Sequence, residues 1–217
     1  MRALADLILP IHCGGCGRSG VPWCQACAGE LTDVPVRLRP RIDPGVPVWA
    51  LGPYSGPRRR AVIAAKEHGR RDLAAPLGDA VVTALTVLDG WGELGAAPKV
   101  LIPAPTRARA ARQRGGDPVT AMARAAVGRE RVCGALVTRW GTRDSVGLTA
   151  AARHSNLHGH IRLTTQGRRL ANQCRDRDHF AIVVDDVMTT GTTAAEGIRV
   201  LSNAGVRVGA VLVIAGV

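Results

Sequence analysis

The amino-acid sequence predicts an α/β fold of the doubly wound kind, in which helices cover both faces of a parallel sheet. The composition is that of a globular chain, because 46% of its 217 residues are hydrophobic and 21% are charged. From residue 58 onward, short β-branched apolar runs alternate with segments whose apolar residues recur at helical spacing. Strands separated by helices of about ten or more residues usually lie parallel in one sheet.

Four helices are predicted from this alternation. In the first, Pro76 falls in the opening turn, where proline is tolerated. The second begins with Asp117 as a potential N-cap and Pro118 at the first helical position, and Gly205 closes the last. The four helices are predicted at residues 72–88, 117–127, 149–157 and 192–203.

Four strands alternate with these helices. Their sequences are short and apolar, which is typical of parallel strands that are buried on both faces. The strands are predicted at residues 99–104, 135–140, 180–187 and 206–217.

The chain divides into three predicted units. Residues 1–34 hold four of the six cysteines and are predicted to form a small cysteine-rich unit. Residues 35–57 contain six prolines, which favours a linker. Residues 58–217 carry the alternating strands and helices and form the main domain.

No membrane span or secretory leader is predicted. The longest apolar stretch, residues 208–217, is shorter than the roughly 20 residues that cross a bilayer. The apolar run at residues 7–11 is also short, and it contains Pro10. We therefore expect a cytoplasmic protein.

The chain is strongly basic, with 29 basic and 17 acidic residues and a formal net charge of +12. All the basic residues except Lys66 and Lys99 are arginines, which could reflect coding bias as well as a selected surface. A field of this sign attracts polyanions, either nucleic acid or a pyrophosphorylated small molecule.

Two C-x-x-C pairs predict a structural zinc site near the N-terminus. Four thiolates at this spacing can converge on one tetrahedral zinc ion, and such a site leaves no position open for a catalytic water. The alternatives are two disulfides, which the cytoplasm disfavours, or a redox-active pair, which usually precedes a helix of a thioredoxin-like unit. The predicted ligands are Cys13, Cys16, Cys24 and Cys27.

A second candidate site lies at residues 182–193, where an apolar strand leads into two acids and then into a loop of threonines around Gly191. Ligands of open α/β sheets bind at the carboxyl ends of the strands. Hydroxyls and backbone N–H groups at a helix N-terminus suit a phosphate. Asp185 and Asp186 suit the two vicinal hydroxyls of a ribose and, directly or through water, a divalent metal.

This segment resembles the loop that binds 5-phosphoribosyl-1-pyrophosphate in type I phosphoribosyltransferases. The resemblance implies a phosphoribosyltransferase-like parallel sheet, with Asp185 and Asp186 on the ribose hydroxyls and Mg²⁺ bound together with the donor. It assigns the 5-phosphate to Thr189, Thr190, Gly191, Thr192 and Thr193.

The whole chain resembles the ComF family of competence-associated, phosphoribosyltransferase-like proteins. The features that carry the resemblance are the cysteine pairs, residues 54–70 with Lys66 and Gly69, the Arg114-Gly115 step, and Arg153 with Asn156. Within this family the Arg-rich stretch after residue 105 is the mobile loop that closes over the substrate. The resemblance thus adds Lys66, Arg107, Arg109 and Arg114 to the predicted substrate-binding residues. Gly116 and Asp117 depart from the aromatic residue and asparagine that are common in the family.

These features leave different classes of function open. The first is an enzyme that transfers phosphoribosyl to a nitrogen base and releases pyrophosphate. The second, which the family association suggests, is a non-catalytic competence protein that binds single-stranded DNA or DNA-uptake proteins through its basic surface. The low aromatic content of 3% disfavours base stacking. A third is a scaffold whose cysteine unit docks a partner.

Overall fold

A computed structural model describes residues 11–105, 116–138, 160–176 and 179–217. The helices of this part of the chain are α1 (Gln25–Leu31), α2 (Gly56–Glu67), α3 (Ala74–Gly90), α4 (Pro118–Val127), α5 (Thr165–Asp176) and α6 (Thr192–Asn203). Its strands are β1 (Val36–Leu38), β2 (Val48–Ala50), β3 (Lys99–Pro103), β4 (Leu136–Thr138), β5 (Ile161–Leu163), β6 (Phe180–Met188) and β7 (Val208–Gly216). Short 3₁₀ turns precede α3, at Arg71–Leu73, and follow α4, at Arg129–Arg131.

The main sheet has five strands in the order β1-β2-β7-β6-β3. Strands β2, β7, β6 and β3 are parallel, and β1 pairs antiparallel with β2 at the edge. The longest strands, β6 and β7, lie in the middle, where Val183 is opposite Val211. The predicted α/β class and mostly parallel sheet are confirmed.

Helices cover both faces of this sheet because alternate residues of each strand point to opposite sides. Ile182 and Val184 of β6 belong to one core cluster, which also contains the apolar faces of α2, α3 and α4. Ala181 and Val183 belong to a second cluster with α5 and α6. The β6 sequence is apolar on both faces because both faces are buried.

Most of the predicted elements agree with the structure. Helix α6 covers the predicted residues, and α4 starts after the predicted N-cap, since an Asp117 carboxylate oxygen accepts the Thr120 N–H at 2.8 Å. Strand β4, predicted as part of the parallel sheet, instead pairs antiparallel with β5 in a separate two-stranded sheet. The predicted helix at 149–157 lies outside the described residues.

The Pro-rich segment that we interpreted as a linker contributes two strands to the main sheet. Residues 48–50 of β2 are buried and pair with β7, and the Val211 N–H donates to the Pro47 carbonyl at 2.8 Å. The prolines flank these three-residue strands and do not interrupt them. Strands this short were not predicted, and neither were helices α2 and α5, whose sequences are rich in arginine.

Among the described residues, one helical segment is long and apolar enough to cross a membrane by length and composition, Arg71–Gly90. The core helices of soluble proteins pass the same criterion. Leu77, Val81, Ala84 and Leu88 of this segment are buried in the core cluster shared with α2 and α4.

Candidate functional site

The four N-terminal cysteines come together in the structure. Their sulfur atoms all lie within 4.8 Å of one another, with Cys13 and Cys27 at 3.7 Å and Cys16 and Cys24 at 3.6 Å. A tetrahedral zinc site with bonds of about 2.3 Å separates its sulfurs by about 3.8 Å, so the cluster has the dimensions of such a site. The same distances are far above the roughly 2.05 Å of a disulfide, and these cysteines are not disulfide-bonded.

Local backbone geometry makes this convergence possible. A Cβ atom at Gly15 would lie 2.6 Å from the Cys27 sulfur, so the position between the first two ligands tolerates no side chain. Burial acts to raise the pKa of the Cys13 thiol, but hydrogen bonds from backbone groups of Cys16, Cys24 and Gly15 outweigh it and lower this pKa to about 6. Burial and hydrogen bonds with the neighbouring thiols raise the pKa of Cys27 instead, so Cys13 is the one of these two sulfurs that favours the thiolate, the form that binds a metal.

The second candidate site is at the carboxyl end of β6, near the middle of the main sheet. Asp185 and Asp186 are half-buried and, as neighbours in a strand, point to opposite faces. The Lys66 Nζ atom of α2 lies 2.9 Å from an Asp186 carboxylate oxygen. The structure thus brings a predicted substrate-binding cation to the predicted acidic pair, although the two are 120 positions apart in the chain.

The surroundings of Asp185 disfavour its ionised form. Burial and the neighbouring Asp186 charge raise its pKa well above the ordinary value, and Lys66 offsets only part of the increase. One Asp185 carboxylate oxygen accepts the Asp186 N–H at 2.8 Å. A carboxylate that has lost part of its hydration is a good acceptor for ligand hydroxyls, because such bonds relieve the cost of its burial.

The threonine loop leads from β6 to the N-terminus of α6, where Gly191 is the N-cap with φ of +86°. Thr189 is exposed, Thr190 and Thr193 are half-buried, and Thr192 is buried. The Thr190 and Thr192 hydroxyls lie 2.9 Å apart and fix the shape of the loop. The first turn of a helix leaves N–H groups without intrahelical acceptors, so this end of α6 favours an anion.

Residues 40–42 brace the loop from the sheet edge. The Ile42 N–H donates to the Thr190 carbonyl at 2.9 Å. A Cβ atom at Gly191 would lie only 2.2 Å from the Ile42 carbonyl oxygen. Gly191 therefore meets two conditions, a left-handed backbone and a close approach of a second segment. Ile42 was not singled out from sequence, because a contact with a segment almost 150 residues away leaves no local pattern.

A cavity of about 130 Å³ lies between the end of α2 and the start of α4. Its mostly apolar walls include Ala65, Leu77 and Pro118, which also line a smaller cavity that reaches Asp186. The cavity extends to Arg70, Arg71 and Asp117.

Several predicted site residues belong to segments that the structure does not describe. Arg107, Arg109 and Arg114 lie outside the described residues, as do Arg153 and Asn156. Their assignment to a pyrophosphate-binding loop stays a prediction.

Sequence analysis missed two arginines that connect the cysteine pairs to α2. The Arg60 side chain donates to the Gly15 carbonyl, and Arg70 donates to the carbonyls of His12 and Pro22. Their spacing on and after α2 gave no signal, because exposed arginines are common throughout this chain.

Comparisons with protein-family models and with curated proteins find no match to this chain. The family resemblance inferred from the motifs therefore stays an expectation, and the chemistry of the two sites is the basis for a functional proposal.

Proposed function

We propose that this protein is phosphoribosyltransferase-like and binds 5-phosphoribosyl-1-pyrophosphate, with Mg²⁺, at the carboxyl end of β6. One observation carries the proposal. Two acids near the end of a central parallel strand are followed, after Val187 and Met188, by a threonine loop that starts a twelve-residue helix. This order places carboxylate acceptors for a ribose next to a helix N-terminus for a phosphate.

Each part of the site has a role in the proposed complex. Asp185 and Asp186 accept hydrogen bonds from the ribose hydroxyls, and the Thr189–Thr193 loop holds the 5-phosphate. Lys66, already within 2.9 Å of Asp186, supplies positive charge beside the donor. Mg²⁺ bound with the donor neutralises charge on the pyrophosphate.

Transfer of the phosphoribosyl group follows from this arrangement. The bond between the anomeric carbon and the pyrophosphate oxygen breaks, a bond to a nitrogen of the acceptor base forms, and that nitrogen loses its proton to solvent. The anomeric carbon becomes more positive during the step, and the two carboxylates stabilise that charge. The protein contributes geometry and charge and needs no nucleophile of its own.

The test is calorimetric titration of the protein with the donor and Mg²⁺. The variant Asp185→Asn/Asp186→Asn keeps side-chain size and removes both charges, so binding should weaken by about 1.5 kcal/mol or more, roughly tenfold. The control is Asp79→Asn/Asp89→Asn, which removes two charges from exposed acids of α3; it also breaks the ion pair of Asp89 with Lys99, at 2.8 Å, and such surface pairs contribute little to stability.

If the site variant binds the donor as tightly as the parent, the assignment of this loop is wrong. If the control variant loses as much donor affinity as the site variant, the loss reflects net charge and not the two acids of the site. A screen of purines, pyrimidines and orotate for pyrophosphate release then separates turnover from binding alone.

A further inference from the structure

Helix α2 lies between the main sheet and the cysteine knuckle, which we define as residues 11–34. Ala61 and Val62 of α2 are buried in the core cluster that contains the sheet residues Ile182 and Ile214. Lys66 extends from the same helix to Asp186. The position of α2 thus determines whether the cation reaches the acidic pair.

The knuckle holds α2 near both of its ends. The Arg60 Nε–H donates to the Gly15 carbonyl. Arg70, just beyond the helix, donates to the His12 carbonyl at 2.9 Å and to the Pro22 carbonyl at 3.2 Å. A bidentate pair with Asp72, at 2.7 and 2.9 Å, orients the Arg70 guanidinium for these contacts.

Side-chain packing reinforces these hydrogen bonds. Leu73 is fully buried, and a Cβ atom at Gly14 would lie 2.7 Å from both of its methyl carbons. The buried Arg58 of α2 donates to the Glu30 carbonyl and pairs with Asp33 at 2.6 Å. The knuckle therefore meets α2 and the following turn along a continuous contact.

The carbonyls that accept these bonds are close in sequence to the metal ligands. His12 precedes Cys13, Gly15 precedes Cys16, and Pro22 is two residues before Cys24. A backbone hydrogen bond from the Gly14 N–H to the Pro22 carbonyl, at 3.0 Å, links the two C-x-x-C segments, and four thiolates held on one metal would hold these segments together more firmly. A segment of 24 residues has only a small core of its own, so metal binding would add to the folding free energy that the knuckle gains by packing on α2 and, through Leu31, in the main core cluster.

We propose that the metal-loaded knuckle supports α2 and thereby sets the ligand affinity of the β6 site, with Arg60 and Arg70 as the positioning residues. Binding at the two sites is then coupled, and the coupling is reciprocal: metal raises donor affinity and donor raises metal affinity by the same factor. The donor part of this inference depends on the proposed function, whereas the support of α2 by the knuckle does not.

The experiment uses the full-length, zinc-loaded protein and the variant Arg60→Met/Arg70→Met, which keeps the alkyl stems and removes the donors. The control is Arg18→Met on the knuckle; within the described residues the Arg18 side chain is exposed and makes no hydrogen bond or ion pair, and only its backbone carbonyl accepts a bond, from the Cys13 N–H. We expect all three proteins to retain about one zinc per chain. Amide exchange over residues 56–68 should accelerate only in the double variant.

Donor affinity should fall at least about fivefold in the double variant and stay unchanged in the control. Saturating donor should raise the zinc affinity of the parent, measured by chelator competition, by the same factor by which zinc raises the donor affinity of the parent. A purely structural role for the two arginines would lower thermal stability but would leave donor affinity and its coupling to zinc intact, and that result would overturn the inference.

If the double variant does not fold, the parent protein stripped of zinc by a chelator and then reloaded gives the same measurement. Protection of residues 56–68 that is unaffected by stripping refutes the support of α2. If the zinc-loaded parent binds no donor, the proposed function fails, and the exchange measurement still decides whether the knuckle positions α2.

Discussion

Gly191 is the position where a single methyl group should disturb the β6 site most selectively. It caps α6 with φ of +86°, and its Cα faces the Ile42 carbonyl oxygen so closely that a Cβ atom would lie 2.2 Å away. Gly205, just beyond the other end of α6, has φ of +88° and no heavy atom within 4 Å of the same added carbon. Gly205→Ala therefore measures the cost of backbone strain alone, whereas Gly191→Ala adds the collision with Ile42.

The magnitudes follow from these two environments. The left-handed backbone costs a non-glycine residue about 1–2 kcal/mol at either position. At Gly191 the collision displaces residues 40–42, and loss of the Ile42–Thr190 hydrogen bond adds about 1 kcal/mol. Overpacking against backbone atoms adds at least about 1 kcal/mol more. We expect Gly191→Ala to cost about 3–4 kcal/mol and Gly205→Ala about 1–2 kcal/mol.

Thermal unfolding followed by circular dichroism measures the difference. Each kcal/mol lowers Tm by about 2–4 °C in a chain of this size, so Gly191→Ala should melt at least about 4 °C below Gly205→Ala. Donor affinity should also fall in Gly191→Ala alone, since the loop changes shape. Equal losses of Tm in the two variants would refute the close contact between this loop and residues 40–42.

Two further predictions concern the zinc content of the cysteine knuckle and the pKa of Asp185. Protein purified under reducing conditions should carry about one zinc per chain by elemental analysis. The variant Cys24→Ser should lower this zinc content, whereas the control Cys133→Ser should not. Parent protein that contains no metal would contradict the zinc site. Because burial and Asp186 raise the pKa of Asp185, the wild type should lose stability as pH rises from the ordinary Asp range toward that raised pKa. Asp185→Asn should therefore exceed the wild type in Tm at neutral pH and lose this advantage in acid, and a difference independent of pH would contradict the assignment.

Much of the candidate site could be predicted because its residues are neighbours in the chain. The cysteine pairs repeat at metal-ligand spacing, and the acids and threonines follow one another across a single strand, loop and helix start. In contrast, the Lys66–Asp186 pair and the support of the threonine loop by Ile42 join segments far apart in sequence. No local sequence pattern predicts such contacts, because they depend on the strand order of the sheet.

The sequence by itself determined the alternation of strands and helices and the class of the fold. Periodicity reports burial on one or both faces, and β6 and α6 have long, regular patterns that leave little ambiguity. Only the tertiary structure decided the role of the Pro-rich segment and of β4, since strands of three residues are too short to display a period and take their partners from the rest of the sheet. The tertiary structure also decided where the knuckle packs. The glycine and arginine contacts between the knuckle and α2 depend on close approach of two segments, and sequence periodicity does not indicate such contacts.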